Sequence, residues 1–172
     1  MKKLLILGAG GYGKTIADLA EQMKCYESID FLDDTKVGKP GILGSCGDFL
    51  SMADAQTEVY PAFGNNTARM AWMNRILENG IAVPTLVHPD AYVSPRAVLG
   101  TGVMVLPKAV VNTGSVVNNG CIVNIGALVD HDVILEEGCH IAPGAIVKAD
   151  NRIPAGTKIE AGTVIENRQY PL

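Results

Sequence analysis

The chain predicts an α/β unit followed by an all-β solenoid. Three observations carry that reading: a glycine-rich turn between an apolar strand and an amphipathic stretch near the start, a second strand–turn–helix pattern in the middle, and an unbroken period of six from Val87 onward. A sustained hexapeptide period fits neither a helix at 3.6 residues per turn nor a two-faced strand, and marks a β-solenoid.

In chain order, Lys2 to Leu7 is a compact apolar strand. It runs into Gly8-Ala9-Gly10-Gly11-Tyr12-Gly13-Lys14-Thr15, and the spacing then predicts an amphipathic helix from about Thr15 to Met23. Exposed N–H groups and a positive helix end make such a turn a natural phosphate site. The octet satisfies both GxGxxG and GxxxxGK[ST]. A second strand ends in Ile29-Asp30-Phe31-Leu32-Asp33-Asp34, which puts acids about 20 residues past Gly13, as a dinucleotide site would. Only some 80 residues precede the repeat, however, enough for a βαβαβ half-unit and no more. On motif alone, a nucleotide-diphosphate site, a dinucleotide site, an NTPase loop and a tight structural turn all stay open.

A third strand, about Glu58 to Phe63, leads into Gly64-Asn65-Asn66-Thr67-Ala68-Arg69 and a helix ending near Asn79-Gly80, with Asn66 or Thr67 as its N-cap. Gly64 and Asn65 thus follow a parallel strand at its C-terminal end, where open α/β sheets gather ligands. Trp72 and the methionines around it are read as packing that helix onto the sheet. A short strand, Val83 to Val87, delivers the chain to His88-Pro89. The predicted domains are 1–86 and 87–172.

From Val87 to Ile165 every sixth residue is aliphatic, and four residues after each of the first thirteen comes one no bulkier than Val. Eight of the thirteen corner positions just before that small residue are Gly, which tolerates positive φ. Each unit reads as a short strand and a tight corner.

Composition excludes several classes. The formal net charge is −4 with no basic run, which argues against nucleic acid as the main partner. The apolar core of the N-terminal MKKLLILGAGGYG is too short for a signal h-region, and no stretch reaches the roughly 18 apolar residues of a membrane span. A cytoplasmic protein is expected. Cys25, Cys46, Cys121 and Cys139 show neither CxxC pairing nor zinc-like spacing, so reduced thiols are expected. His88, His131 and His140 lack the close spacing of a shared metal face, so no metal site is predicted.

His131 occupies a corner of the repeat, followed by Asp132 where most corners have Gly. A repeat that breaks its own rule suggests local function. An imidazole can take a proton from an amine or hydroxyl, and an adjacent carboxylate favours the protonated ring. A solvated corner is the plainer alternative, since Arg96, Lys108 and Asp150 also replace Gly at equivalent positions.

The repeat resembles that of the hexapeptide-repeat acyltransferases, whose left-handed parallel β-helix takes 18 residues per coil, an exception to the right-handed crossover rule. Over residues 2 to 166, GAGGYGK, FLDD, AFGNN followed by Arg69, LVHP, NIGALVDHD and GCHIAPGA resemble, in collinear order, the PglD-like N-acetyltransferases and related NeuD-like sialic acid O-acetyltransferases of bacterial surface-glycan pathways. The resemblance implies a small Rossmann-like domain for a UDP-linked amino sugar, a left-handed β-helix for acetyl-CoA as co-substrate, and a homotrimer with active sites between subunits.

Carried over by position, Gly10, Gly11 and Gly13 approach the phosphates and sugar, Asp33 and Asp34 face the uridine, and Gly64 and Asn65 line the same pocket. Tyr12 stands where the family commonly has His. His131 falls on the family's catalytic histidine, with Asp132 as its partner. Ala149, 18 residues later, falls on a backbone amide that contacts the thioester carbonyl, usually from Gly. His140 and Asn124 fall on coenzyme-side positions, and His88 reads as a junction residue. In the coil picture Cys121 and Cys139 stack as interior fillers. The implied reaction is direct acetyl transfer to a sugar amine. O-acetylation of a sugar hydroxyl and a non-catalytic sugar-nucleotide scaffold are the alternatives. Family members usually continue with another coil and a Gly-Val-Pro-Ala-Lys-like tail that helps cover the coenzyme; here the repeat runs into Glu166-Asn167-Arg168-Gln169-Tyr170-Pro171-Leu172.

Overall fold

A computed structural model describes residues 2–172 as two compact units that divide between Pro84 and Thr85. The division falls two residues before the boundary expected from the repeat. Leu86 already belongs to the solenoid, because its N–H donates to Val103 O at 2.9 Å.

In the first unit β1 (Lys2–Leu7) runs parallel between β2 (Tyr26–Leu32) and β4 (Thr57–Pro61). A short edge strand β3 (Ile42–Gly44) completes the order β3-β2-β1-β4. β3 has no counterpart in the sequence reading, since three residues between glycine-rich turns are too few to show a period. Helix α1 (Gly11–Met23) follows β1, a single turn α2 (Phe49–Met52) precedes β4, and α3 (Asn66–Glu78) follows it. Leu4 to Leu7 of β1, Ile16 and Leu19 of α1, and Met73 and Ile76 of α3 are buried. Each such side chain contributes about 1.5–3 kcal/mol.

Helix α1 starts four residues before the expected Thr15. Gly8, at φ +104°, turns the chain, and Gly10 is the extended N-cap. Gly13 therefore sits inside the helix, facing back onto the turn. A Cβ on it would lie 1.9 Å from the carbonyl oxygen of Gly8, so only glycine lets the helix start this close to the strand end. The N-cap of α3 is Asn65 rather than Asn66 or Thr67: its side chain accepts the Ala68 N–H at 2.9 Å.

The second unit stacks fourteen two-residue strands, β5 (Leu86–Val87) to β18 (Val164–Ile165), into three parallel sheets. The pairing register is 18 residues throughout, as in Val129 against Val147 and His140 against Lys158. One residue of each strand points inward, and from Val105 to Ile153 those side chains are fully buried. The small residues Ala109, Ser115, Cys121, Ala127, Cys139 and Ala145 fill the same interior. Cys121 and Cys139 are free thiols of this core, one coil apart. All eight corner glycines have positive φ; among the other corners, Lys108, Asp132 and Asp150 adopt it too, at 55° to 61°. Asn151, like Ser115, is a fully buried polar residue inside the solenoid. Its amide donates to Lys148 O and Glu166 O and accepts the Tyr170 N–H, each at 2.8 Å, which ties the C-terminal segment down.

Candidate functional sites

In the first unit, the C-terminal ends of the strands surround a cavity of about 420 Å³ whose walls include Gly8, Gly10, Asp33, Asp34, Gly64 and Asn65. Five of those six were expected there from sequence. Helix α1 points its first turn this way, with no capping side chain on Gly10 and no acidic residue in that turn. The first N–H groups of a helix have no intrahelical acceptor, so this end carries partial positive charge.

The two aspartates differ in what they hold. Asp33 is buried; its Oδ2 accepts the Ala9 N–H at 2.8 Å, and its Oδ1 accepts the Thr35 N–H at 2.9 Å and the Thr35 hydroxyl at 2.7 Å. The Thr35 hydroxyl, followed by the two backbone donors, holds the Asp33 carboxyl below its ordinary range. Lys36 also bonds the Ala9 carbonyl. Asp33 thus secures the glycine turn from β2. Asp34 is exposed on the cavity wall and accepts the Cys46 N–H at 2.8 Å. Burial pushes the Cys46 thiol up to about 11.

Gly11, Tyr12 and Gly13 are not on the cavity wall. The Tyr12 hydroxyl instead bonds Tyr60 beside Arg69, and burial raises it above the ordinary phenol range. Its place inside the first turn of α1 turns the ring toward β4. Asn65 spends its side-chain carbonyl oxygen on capping α3.

Sequence reasoning missed Thr35, Cys46 and Phe63 on this wall. The rule that parallel strand ends face ligands would have found Thr35 and Phe63; nothing in the sequence pointed to Cys46. Phe63 stacks on Trp72, with centroids 6.1 Å apart, and the Arg75 guanidinium lies 4.8 Å above the Trp72 ring.

In the second unit, His131 and Asp132 form a corner after β12 (Leu128–Val129). The His131 Nδ1 lies 2.8 Å from Asp132 Oδ2, and both side chains are about half exposed. The Asp132 carboxylate, with Asp130 and Asp150 nearby, raises the imidazole above its ordinary 6.5. A carboxylate accepts only, so it holds the proton on Nδ1 and turns the Nε2 lone pair outward. One coil on, Asp150 pairs with Arg168 at 3.2 Å. Ala149 is buried, and among the described residues its N–H has no acceptor.

Asn124 and His140 are brought together: the amide nitrogen lies 2.9 Å from Nε2. Because the Asn124 carbonyl already accepts the Ile125 N–H at 2.8 Å, the amide donates and Nε2 accepts. His88 is buried and its Nδ1 accepts the Asp90 N–H at 3.0 Å, which makes it a turn residue. Among the described residues no group of three His, Cys, Asp or Glu is placed to hold a metal.

The PglD N-terminal domain family matches residues 3–76. The acetyltransferase domain of PglB from Neisseria gonorrhoeae FA1090 is 38% identical, with a TM-score of 0.93 over 98% of this chain and 84% of that one. The chain belongs to the PglD-like acetyltransferase family. The same Neisseria domain has also been solved in complex with acetyl coenzyme A, at 39% identity and a TM-score of 0.92 over 97% of this chain and 83% of that one. The UDP-N-acetylbacillosamine N-acetyltransferase of Bacillus subtilis (strain 168) is 30% identical over 112 residues, covering 62% of this family member and 52% of the relative. The GDP-perosamine N-acetyltransferase of Escherichia coli O157:H7 is 30% identical over 117 residues, covering 63% of this family member and 52% of the relative. The chain thus spans about half the length of the curated relatives it matches. Among the described residues, no helix is long and apolar enough to cross a membrane.

Proposed function

We propose that the chain transfers acetyl from acetyl-CoA to the amino group of a nucleotide-linked sugar, in the cytoplasm, as a step of bacterial surface-glycan synthesis. The first unit, read as Rossmann-like, holds the sugar nucleotide: phosphates at the end of α1, the base near Asp34 and Phe63. The solenoid, read as a left-handed β-helix, holds acetyl-CoA along Asn124, His140 and Ala149. The observation that carries the chemistry is the 2.8 Å contact between His131 Nδ1 and Asp132 Oδ2 on an accessible corner.

The steps balance without a covalent enzyme intermediate. The amine nitrogen attacks the thioester carbon while His131 Nε2 takes the amine proton. Asp132 supports the imidazolium, and the Ala149 N–H meets the negative oxygen of the tetrahedral intermediate. Collapse breaks the C–S bond, and the departing thiolate takes the proton back from His131.

An outward sheet face supports a homotrimer. Tyr92, Leu128 and Val164 are 54%, 38% and 43% exposed, with Val110 and Ile146 between them on successive coils. Such an apolar column suits packing against further copies of this chain, with the active sites between them. The test is coenzyme A release with a UDP-4-amino sugar, for the native chain and His131→Ala. Loss of release in the variant is expected, and equal rates remove His131 from the reaction. Activity on a hydroxyl acceptor alone would make the enzyme an O-acetyltransferase.

A further inference from the structure

We propose that the corner one coil before the His131–Asp132 pair, Asn112 to Ser115, is the seat that holds this pair in place, and that Gly114 is its decisive positioning residue. The proposal rests on reading His131 as the base.

Four hydrogen bonds join the two corners. Asn112 Nδ2 donates to Asp130 Oδ1 at 3.2 Å, and the Asp132 N–H donates to Thr113 O at 3.1 Å. Ser115, fully buried, donates its hydroxyl to Asp130 O at 2.6 Å and accepts the Val133 N–H at 3.1 Å. One interior side chain therefore braces both ends of the turn that carries His131.

Gly114 acts from outside by having no side chain. A Cβ there would lie 2.4 Å from Asp132 Oδ1 and 3.4 Å from its Cγ. The carboxylate that bonds His131 occupies the space above the glycine, and any side chain would push it away. Corner geometry alone does not account for this. At Gly126, Gly144, Gly156 and Gly162, which share a φ of 63° to 69°, a Cβ meets nothing within 4 Å, and Lys108 shows that such a φ admits a side chain.

That difference supplies the control. Gly114→Ala and Gly162→Ala impose the same backbone strain, but only the first reaches the pair. The charged groups facing His131 are Asp130, Asp132 and Asp150, the last paired with Arg168. In Gly114→Ala the NMR titration midpoint of His131 is expected to fall toward 6.5, as in Asp132→Asn. Its kcat should fall about ten-fold or more, with both KM values within about two-fold. Gly162→Ala should match the native chain in all three.

An unchanged His131 midpoint in Gly114→Ala overturns the proposal. If His131→Ala keeps full turnover, the reading of His131 as base fails, while the midpoint still decides the role of Gly114. If Gly114→Ala does not fold, the Gly114→Ala/Asp132→Ala pair decides. Folding with the melting loss of Gly162→Ala supports the seat, and failure to fold overturns it.

Discussion

Ala9 donates its backbone N–H to the carboxylate of Asp33 at 2.8 Å, across 24 residues of sequence. A glycine-rich turn has little intrinsic preference for one shape, and this bond sets its height above the sheet. The acid that a dinucleotide motif would aim at a ribose is here spent on the protein itself.

Asp33→Asn should therefore act on the scaffold. The amide keeps one acceptor oxygen where the carboxylate has two, so either Ala9 or Thr35 loses its partner, at a cost of about 1–3 kcal/mol in urea unfolding. Sugar-nucleotide binding measured by calorimetry should weaken, with acetyl-CoA binding unchanged. Because the Asp33 carboxyl sits below its ordinary value, its stabilisation is present above about pH 4. It should fade as acid takes the pH down through the lowered value.

For the corner, His131→Ala should lower kcat by about 10²–10⁴. The base works as neutral imidazole, so kcat/KM should rise with pH through a midpoint above 6.5, because Asp132 raises the imidazole. Asp132→Asn should move that limb to lower pH. An acid limb that stays put in the variant would show that Asp132 does not govern the base.

Ala149→Pro tests the backbone donor with little other disturbance. Pro89, Pro95, Pro107 and Pro143 occupy the equivalent corner position in the repeat, so the ring fits, and the N–H disappears. Turnover should drop about 10²–10³, with the melting temperature close to native. Full turnover in this variant would remove the amide from the reaction.

Arg69 is 1% exposed and donates to Phe63 O at 3.1 Å and Asn66 Oδ1 at 2.9 Å. Arg69→Met should remove both hydrogen bonds from these part-buried acceptors, costing about 1–3 kcal/mol. Because both acceptors flank Gly64 and Asn65, KM for the sugar nucleotide should rise more than KM for acetyl-CoA. Arg69→Lys should recover part of the loss.

Leu128→Glu places a charge on the exposed apolar column without touching the interior. Sedimentation should show smaller assemblies than the native chain, with the secondary structure kept in circular dichroism. An unchanged sedimentation coefficient would take this face out of the interface.

Much of the fold was legible because the solenoid writes its interior into the chain every six residues. The alternation of Val129 inward and Leu128 outward repeats in each coil, so pattern and structure coincide. The glycine turn and the strand ends were legible for the same kind of local reason. Helix α1 began early because Gly13 makes its contact with Gly8 in space, not in pattern, and the short β3 carried too few residues to read. Within the candidate sites, residue types were visible but their partners were not. Tyr12 turned to Tyr60, and Asn65 was drawn into the cap of α3, through contacts no spacing rule encodes.

The sequence by itself determined the repeat and the two-part organisation and supplied the candidate site residues, since hydrophobic period and residue type are local properties of the chain. Only the tertiary structure decided what each of those residues holds. A register of 18 laid Gly114 beneath the Asp132 carboxylate, and the parallel pairing of β1 with β2 brought Ala9 to Asp33. These are distances set by strand pairing between segments far apart in sequence, and they mark out the groups that brace the fold among the candidate site residues.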